Sequence, residues 1–192
     1  MTREVFPKKS IKETEMESEK TRLIRLVALC SEYCGAIENA GANELPLLVK
    51  ELLGYLCRIY HEFLDIEAVE DSSIYEWGMP SESYSSDMDE VQYESARQSL
   101  AAIFGQHDTY LETFERDMKY SDTPITATVS ENLCDIYQSL YNFVVEVRES
   151  EGGNLEEAFR RCKEQFDEYW SQTLCNVMRA LNAIRTDAEP EN

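Results

Sequence analysis

Residues 154–185, NLEEAFRRCKEQFDEYWSQTLCNVMRALNAIR, place Leu155, Phe159, Cys162, Phe166, Trp170, Leu174, Val177, Leu181 and Ile184 three or four positions apart along their whole length. That spacing keeps them on one stripe of an α-helix, which repeats every ~3.6 residues, so it predicts a helix over 155–185 with the stripe turned inward. Gly152 and Gly153 break the chain just before it. Asn154, with Glu157 three residues on, resembles a capping box.

The same period recurs toward the N-terminus. Val129, Leu133, Ile136, Tyr137, Leu140, Val144 and Val147, flanked by Cys134, Tyr141 and Val145, predict a helix over 124–150. Asp122 or Thr123 is its expected cap and Pro124 stands in its first turn. Ala96, Leu100, Ile103, Phe104, His107, Leu111, Phe114 and Met118 predict a helix over 88–118, with Gly105 as a point of kinking. Over 45–65, Leu45, Leu48, Val49, Leu52, Leu56, Ile59 and Phe63 form one stripe and Leu53, Cys57, Tyr60 and Leu64 a second, which predicts a central helix. The first helix is expected over 18–40, starting somewhere in 10–20, with Leu23, Leu26, Val27, Cys30, Cys34 and Ile37 inside.

No convincing run of period two is bounded by hairpin turns, so strands are not expected. Residues 67–86 carry Ser, acids, Gly and Pro without a periodic face and read as a loop. With short connections elsewhere, the expected fold is all-α, a single domain over 1–192. It is an antiparallel bundle of about five helices with one long acidic loop and frayed ends.

Lys and Arg number 18 against 38 Asp and Glu, a formal charge of −20, which repels phosphate backbones and argues against direct nucleic-acid binding. The charge is uneven. Residues 1–25 hold seven basic and five acidic side chains, whereas 59–96 hold eleven acidic ones and no Lys or Arg. With 11 Tyr, 7 Phe and 2 Trp the chain has enough large apolar surface to fold rather than stay disordered. The N-terminus lacks a signal-peptide apolar region and no stretch reaches 18 uninterrupted apolar residues, so a cytoplasmic protein without membrane partners is expected. All six cysteines fall in predicted helices, without a CxxC, which fits reduced thiols. Cys30 and Cys34 share a face at ~5–6 Å between Cβ atoms, too far for a disulfide, and read as small buried hydrophobes.

Several segments carry a family resemblance. These are Gly105-Gln106-His107-Asp108-Thr109-Tyr110-Leu111, Met118-Lys119-Tyr120-Ser121-Asp122-Thr123-Pro124, Ser130-Glu131-Asn132-Leu133-Cys134-Asp135-Ile136-Tyr137, Tyr169-Trp170 and Arg179-Ala180-Leu181. Together they make residues 85–185 resemble a family of bacterial helical proteins designated domain of unknown function 5063. The resemblance implies a helical fold and supplies no reaction, cofactor or partner. Family members often have Gly after the Tyr-Trp pair and His after Arg-Ala-Leu, where this chain has Ser171 and Asn182.

Catalytic and cofactor motifs are not apparent. A metal site in a helical bundle needs Glu-x-x-His pairs, but Arg58 precedes His61 by three residues and Phe104 precedes His107, so no metal or cofactor is expected. No Ser-His-Asp, Cys-His, Gly-x-Ser-x-Gly, P-loop or dinucleotide fingerprint occurs. The leading expectation is a non-catalytic protein-interaction module or adaptor. In it Tyr75, Trp77 and Tyr84 of the acidic loop bind another protein, and the surrounding acids steer a basic partner; the other reading of these aromatics, with Ile74 and Met79, is that they fold back over the bundle. The alternative is a small-molecule binder or enzyme built on a polar pocket of His107, Asp108, Tyr110, Glu131, Asp135 and Arg179. In the bland reading His107 is simply hydrogen-bonded in place, and Glu131 and Asp135 form a solvated face. A third reading is an acidic regulator of a nucleic-acid enzyme.

Overall fold

The apolar stripes meet one another and leave a β-ribbon at one end. The computed structural model describes residues 11–66, 87–112 and 125–187, with side chains from residue 19 onward. In chain order the elements are α1 (Ile11–Glu38), α2 (Leu45–Asp65), α3 (Glu90–Phe104), β1 (Thr109–Leu111), β2 (Thr126–Thr128), α4 (Val129–Glu149), α5 (Leu155–Gln165) and α6 (Ser171–Asp187). A π-turn over Phe166–Trp170 joins α5 to α6 without a break, so these two make the one long rod expected from the sequence. The described chain is thus an all-α bundle of five rods.

Side-chain partners fix how the rods run. Arg22 of α1 meets Glu62 and Asp65 at the far end of α2, which makes an antiparallel hairpin. Beside α3, Met88 N–H donates to Asn142 Oδ1 at 2.8 Å and Tyr93 donates to Asp135 at 2.7 Å, which sets α3 antiparallel to α4. Asn154 reaches Glu146 while Tyr169 reaches Asp135, so the α5–α6 rod also runs antiparallel to α4.

The central helix is α4, a correction to the placing of α2 at the centre. It packs against α1, α3, α5 and α6, whereas α2 packs against α1 and α6. The second stripe of α2 explains the difference. Leu53 and Tyr60 are half-buried, but Cys57 is exposed and Leu64 is 59% exposed, so this face covers little. All nine stripe residues of the α5–α6 rod are buried, from Leu155 to Ile184. Phe63 of α2 closes on them, with ring centroids 5.6 Å from Phe159, 5.1 Å from Phe166 and 4.9 Å from Trp170.

The third and fourth helices are shorter than expected. Instead of kinking at Gly105, α3 ends there at a φ of 53°, a backbone geometry that glycine adopts without a Cβ penalty. The chain then makes a 3₁₀ turn over Gly105–His107 and enters β1, which pairs antiparallel with β2 in the register Thr109↔Thr128. Thr128, not Asp122 or Thr123, caps α4, its Oγ1 accepting from Glu131 N–H at 3.3 Å. The strands were missed because three residues are too few to show a period. Leu111, expected inside, is 54% exposed on the ribbon, and His107 is half-buried. Phe114, Met118, Asp122, Thr123 and Pro124 lie outside the described residues, as do the acidic loop 67–86 and the last five positions.

The expected capping box is also corrected. Asn154 makes no side-chain cap; it donates to Glu146, and Glu157 is taken by Arg160 and Arg161. The turn before α5 is closed by the backbone, Gly152 N–H donating to Val147 O at 2.8 Å with a φ of 79° at the glycine.

None of the six cysteines is bonded to another: Cys30, Cys34, Cys134 and Cys162 are buried and Cys57 and Cys175 exposed. Burial pushes the Cys34 and Cys134 thiols up to about 12. An alkylating reagent added to native protein should therefore label Cys57 and Cys175 alone, as counted by mass spectrometry, with the other four reacting only on unfolding. Rapid labelling of a third thiol under native conditions would contradict this core.

Candidate functional site

Around the N-terminal half of α4, polar side chains from five elements meet. The helix starts where Asp108, just ahead of β1, closes its first turn. Asp108 Oδ1 accepts from Ser130 N–H at 2.8 Å, Oδ2 accepts from Ser130 Oγ–H at 2.9 Å, and its backbone O accepts from Val129 N–H at 2.7 Å. A carboxylate at the positive end of a helix also favours the helix dipole. The ribbon is thereby pinned to α4, and alternation along β1 turns Tyr110 toward the helix.

Tyr110 and Asn132 form the next layer. Asn132, which is 7% exposed, donates to the Tyr110 hydroxyl and to Glu112 Oε1, the latter at 3.2 Å, and Tyr110 donates to Glu112 at 3.3 Å. Arg179 of α6 ties the ribbon down by donating to Leu111 O. One turn along α4, Asp135 accepts from two tyrosines: Tyr93 of α3 at Oδ1, 2.7 Å, and Tyr169 of the π-turn at Oδ2, 3.0 Å. The π-turn adds a residue to the helical repeat, which is a recurrent way of re-aiming a side chain. Burial and the nearby carboxylates hold all three hydroxyls protonated, with Tyr169 pushed up to about 12 and Tyr93 and Tyr110 higher still.

On the outer side of Asp135 lies an open groove of 960 Å³ between α3 and α4. Glu90, Val91, Tyr93, Glu94, Ser95 and Gln98 line it from α3, Asp135 and Gln138 from α4, and Met88 closes one end. It is open because α3 buries only Leu100 and Phe104 fully, and Val91 stands 79% exposed. Asp89 caps α3, accepting from Gln92 N–H at 2.7 Å, and puts Glu90 in the first turn. Glu94 takes a forked pair of bonds from Arg97, 2.8 and 2.7 Å, and one from Gln98 at 2.7 Å. These donors hold its carboxyl down to about 2 from an ordinary 4.5. A depressed carboxylate contributes stability above its unfolded value and loses it as pH falls through the folded one. Stability should therefore fall between pH 4.5 and about 2. A carbon-detected titration of Glu94 should show a midpoint near about 2 that returns toward 4.5 in Arg97→Ala. A wild-type midpoint above 4 would break the assignment (order-of-magnitude scatter of folded carboxyls is about one unit).

Of the six expected pocket residues, the structure brings together Tyr110, Asp135 and Arg179 with Asp108 alongside, and it engages each of these in a hydrogen bond. Glu131 is exposed in the first turn of α4. His107 stands apart, its ring Nε2 3.4 Å from Gln106 Nε2. The groove is lined by Asp135 alone of the six. Glu90, Val91, Tyr93, Glu94, Glu112, Asn132 and Tyr169 were not picked out as site residues by sequence. A helical projection of α3 did carry a signal, since its face bearing Val91, Glu94 and Gln98 has no apolar stripe to bury. Tyr75, Trp77 and Tyr84 lie outside the described residues. Among the described residues no group of His, Cys, Asp and Glu is arranged to hold a metal ion, and no helix is long and apolar enough to cross a membrane.

Fold and site define an acidic helical bundle whose ribbon-capped end gathers a hydrogen-bonded polar surface. Four of the segments that carry the family resemblance meet there, through Tyr110, Asn132, Asp135, Tyr169 and Arg179. The chain belongs to the family described as Domain of unknown function (DUF5063), whose pattern matches residues 17–187 and so takes in α1 and α2 as well. Its fold is similar to that in the crystal structure of protein BF1032 from Bacteroides fragilis. The TM-score is 0.69 at 24% identity, with 89% of this chain and 96% of that one covered. No curated protein matches the sequence.

Proposed function

We propose that this protein is a non-catalytic interaction module that recognises a basic partner protein. The observation that supports the reading is that the site's polar groups hold one another in fixed orientations. Tyr93 and Tyr169 donate to Asp135, Asn132 and Tyr110 donate to Glu112, and Asp108 accepts from Ser130. Tyrosines held protonated serve as fixed donors, and general acid–base work needs a group whose pKa lies near the operating pH. A surface of fixed donors and acceptors on a chain of net charge −20 suits recognition of a positively charged surface.

Immobilised full-length protein incubated with lysate of its source cell should retain a small set of proteins enriched in high pI. They should release as salt is raised from about 0.05 to 0.5 M, because screening shortens the reach of charge. Retention that ignores both salt and pI would sink the reading. The acidic loop enters the same experiment: loss of the retained set with Trp77→Ala would place Trp77 in the recognition surface, and an unchanged set would remove it.

A further inference from the structure

The groove between α3 and α4 has the chemistry of a receptor for a particular kind of chain. Three carboxylates border it, Glu90, Glu94 and Asp135, and of these Glu94 is paired with Arg97. Among the described residues no Lys or Arg pairs with Glu90 or Asp135. Neutral hydrogen-bonding groups, Ser95, Gln98 and Gln138, stand between them, and Met88 and Val91 supply apolar wall. At 79% exposure Val91 leaves most of its side chain open to a partner. Acids at the rim beside the exposed Val91 complement a segment that alternates cationic and apolar side chains, with the methylene stem of a cation lying along Val91.

Asp135 distinguishes arginine from lysine. A carboxylate offers about four lone-pair sites, and Tyr93 and Tyr169 occupy one on each oxygen. Because the two tyrosines come from different elements, α3 and the π-turn, they fix the plane of the carboxylate before anything binds. A fixed planar carboxylate matches the two-pronged guanidinium of arginine and gives less advantage to the point charge of lysine. We propose that the α3–α4 groove docks an arginine-bearing amphipathic segment of a partner protein, its guanidinium seated on Asp135 and an apolar side chain on Val91. The assignment rests on the interaction-module reading and adds where and by what chemistry the partner binds.

The test is fluorescence anisotropy of the full-length protein with a labelled peptide alternating Arg and Leu, against matched Lys/Leu and Arg/Gly peptides. The Arg/Leu peptide should bind about tenfold tighter than either, the order expected for one good charged or apolar contact. Glu90→Lys and Val91→Ser, both at solvent-facing positions, should each weaken it about tenfold, with an unchanged circular dichroism spectrum showing the fold intact. Glu156→Lys, which replaces one of the two first-turn acids of α5 and makes the same change in net charge outside the groove lining, should weaken it less than about twofold. Asp135→Asn should abolish the preference for Arg over Lys. Equal losses in Glu90→Lys and Glu156→Lys would show binding to the diffuse negative field and overturn the proposal. So would an unchanged Arg preference in Asp135→Asn, or full displacement of the peptide by equimolar spermine. If Glu90→Lys leaves the lysate proteins bound, the groove assignment fails while the module reading stands. If the peptide binds as described but the lysate yields nothing, the opposite holds.

Discussion

Trp170→Ala is expected to lower the unfolding free energy by about 3–5 kcal/mol, the range for truncating a fully buried aromatic. The indole is 0% exposed and touches Phe63 and Phe166 at centroid distances of 4.9 and 4.7 Å, both edge-on. Alanine would leave a void where Phe63 of α2 packs on the π-turn between α5 and α6. For a chain of this size each kcal/mol lowers Tm by about 2–4 °C, so a fall of roughly 6–20 °C should be seen by circular dichroism. The companion variant Trp170→Phe should lie within about 1 kcal/mol of wild type despite its smaller ring. Among the described residues the Trp170 indole N–H has no acceptor, so phenylalanine removes an unsatisfied donor whose burial costs about 1–3 kcal/mol. A loss above about 2 kcal/mol in Trp170→Phe would show that the smaller ring's lost volume outweighs the removal of the orphaned N–H.

Asp108→Ala should cost about 2–3 kcal/mol, as expected for a charged acceptor serving a helix start. It removes the acceptor of two bonds, Ser130 N–H and Ser130 Oγ–H, and leaves both donors at a serine that is 0% exposed. It also removes one of the two negative charges beside the first turn of α4, Glu131 being the other, where unpaired amides point outward. Because the acceptor comes from ahead of β1, the ribbon should loosen with the cap. Amide exchange at Ser130 and Tyr110 should speed up together, by about ten- to a hundredfold for a local opening eased by ~1.4–2.7 kcal/mol. Asp108→Asn keeps one acceptor oxygen and should lose about half as much. If Asp108→Ala melts within about 1 °C of wild type, the residue is a solvated surface acid.

How much could be read beforehand varied by element. The α5–α6 rod was legible in full because one stripe, Leu155 to Ile184, faces one core, and every member is buried. In α1 the stripe was right, but it omitted Tyr33, which is 0% exposed with its hydroxyl donating to Leu133 O at 2.9 Å. A tyrosine reads as amphipathic in a sequence, and only a backbone carbonyl a hundred residues away decides whether it can be buried. In α3 the apolar period runs on past Phe104 to His107 and Leu111 in the sequence. There the positive φ of Gly105 ends the helix and the pairing of Leu111 with Thr126 takes over. A helix and a three-residue strand place an isolated leucine equally well, so pairing with a distant partner had to choose.

The candidate site divides in the same way. Asp108, Tyr110, Asp135 and Arg179 were recognisable as polar residues at the edge of apolar stripes, whereas their partners were not, since Ser130, Asn132, Tyr93 and Tyr169 belong to other segments. The sequence by itself determined the class of fold, the helical stripes of the long rods, the reduced thiols in helices and the negative field. Each of these depends on composition or on spacing along one segment, where neighbours three or four residues apart are bound to meet. Tertiary structure alone decided that α4 and not α2 is central, that a ribbon caps the bundle, and that one carboxylate collects two tyrosines beside an open groove. Those outcomes depend on which surfaces are buried against which, and burial is settled by the competition among all the rods at once.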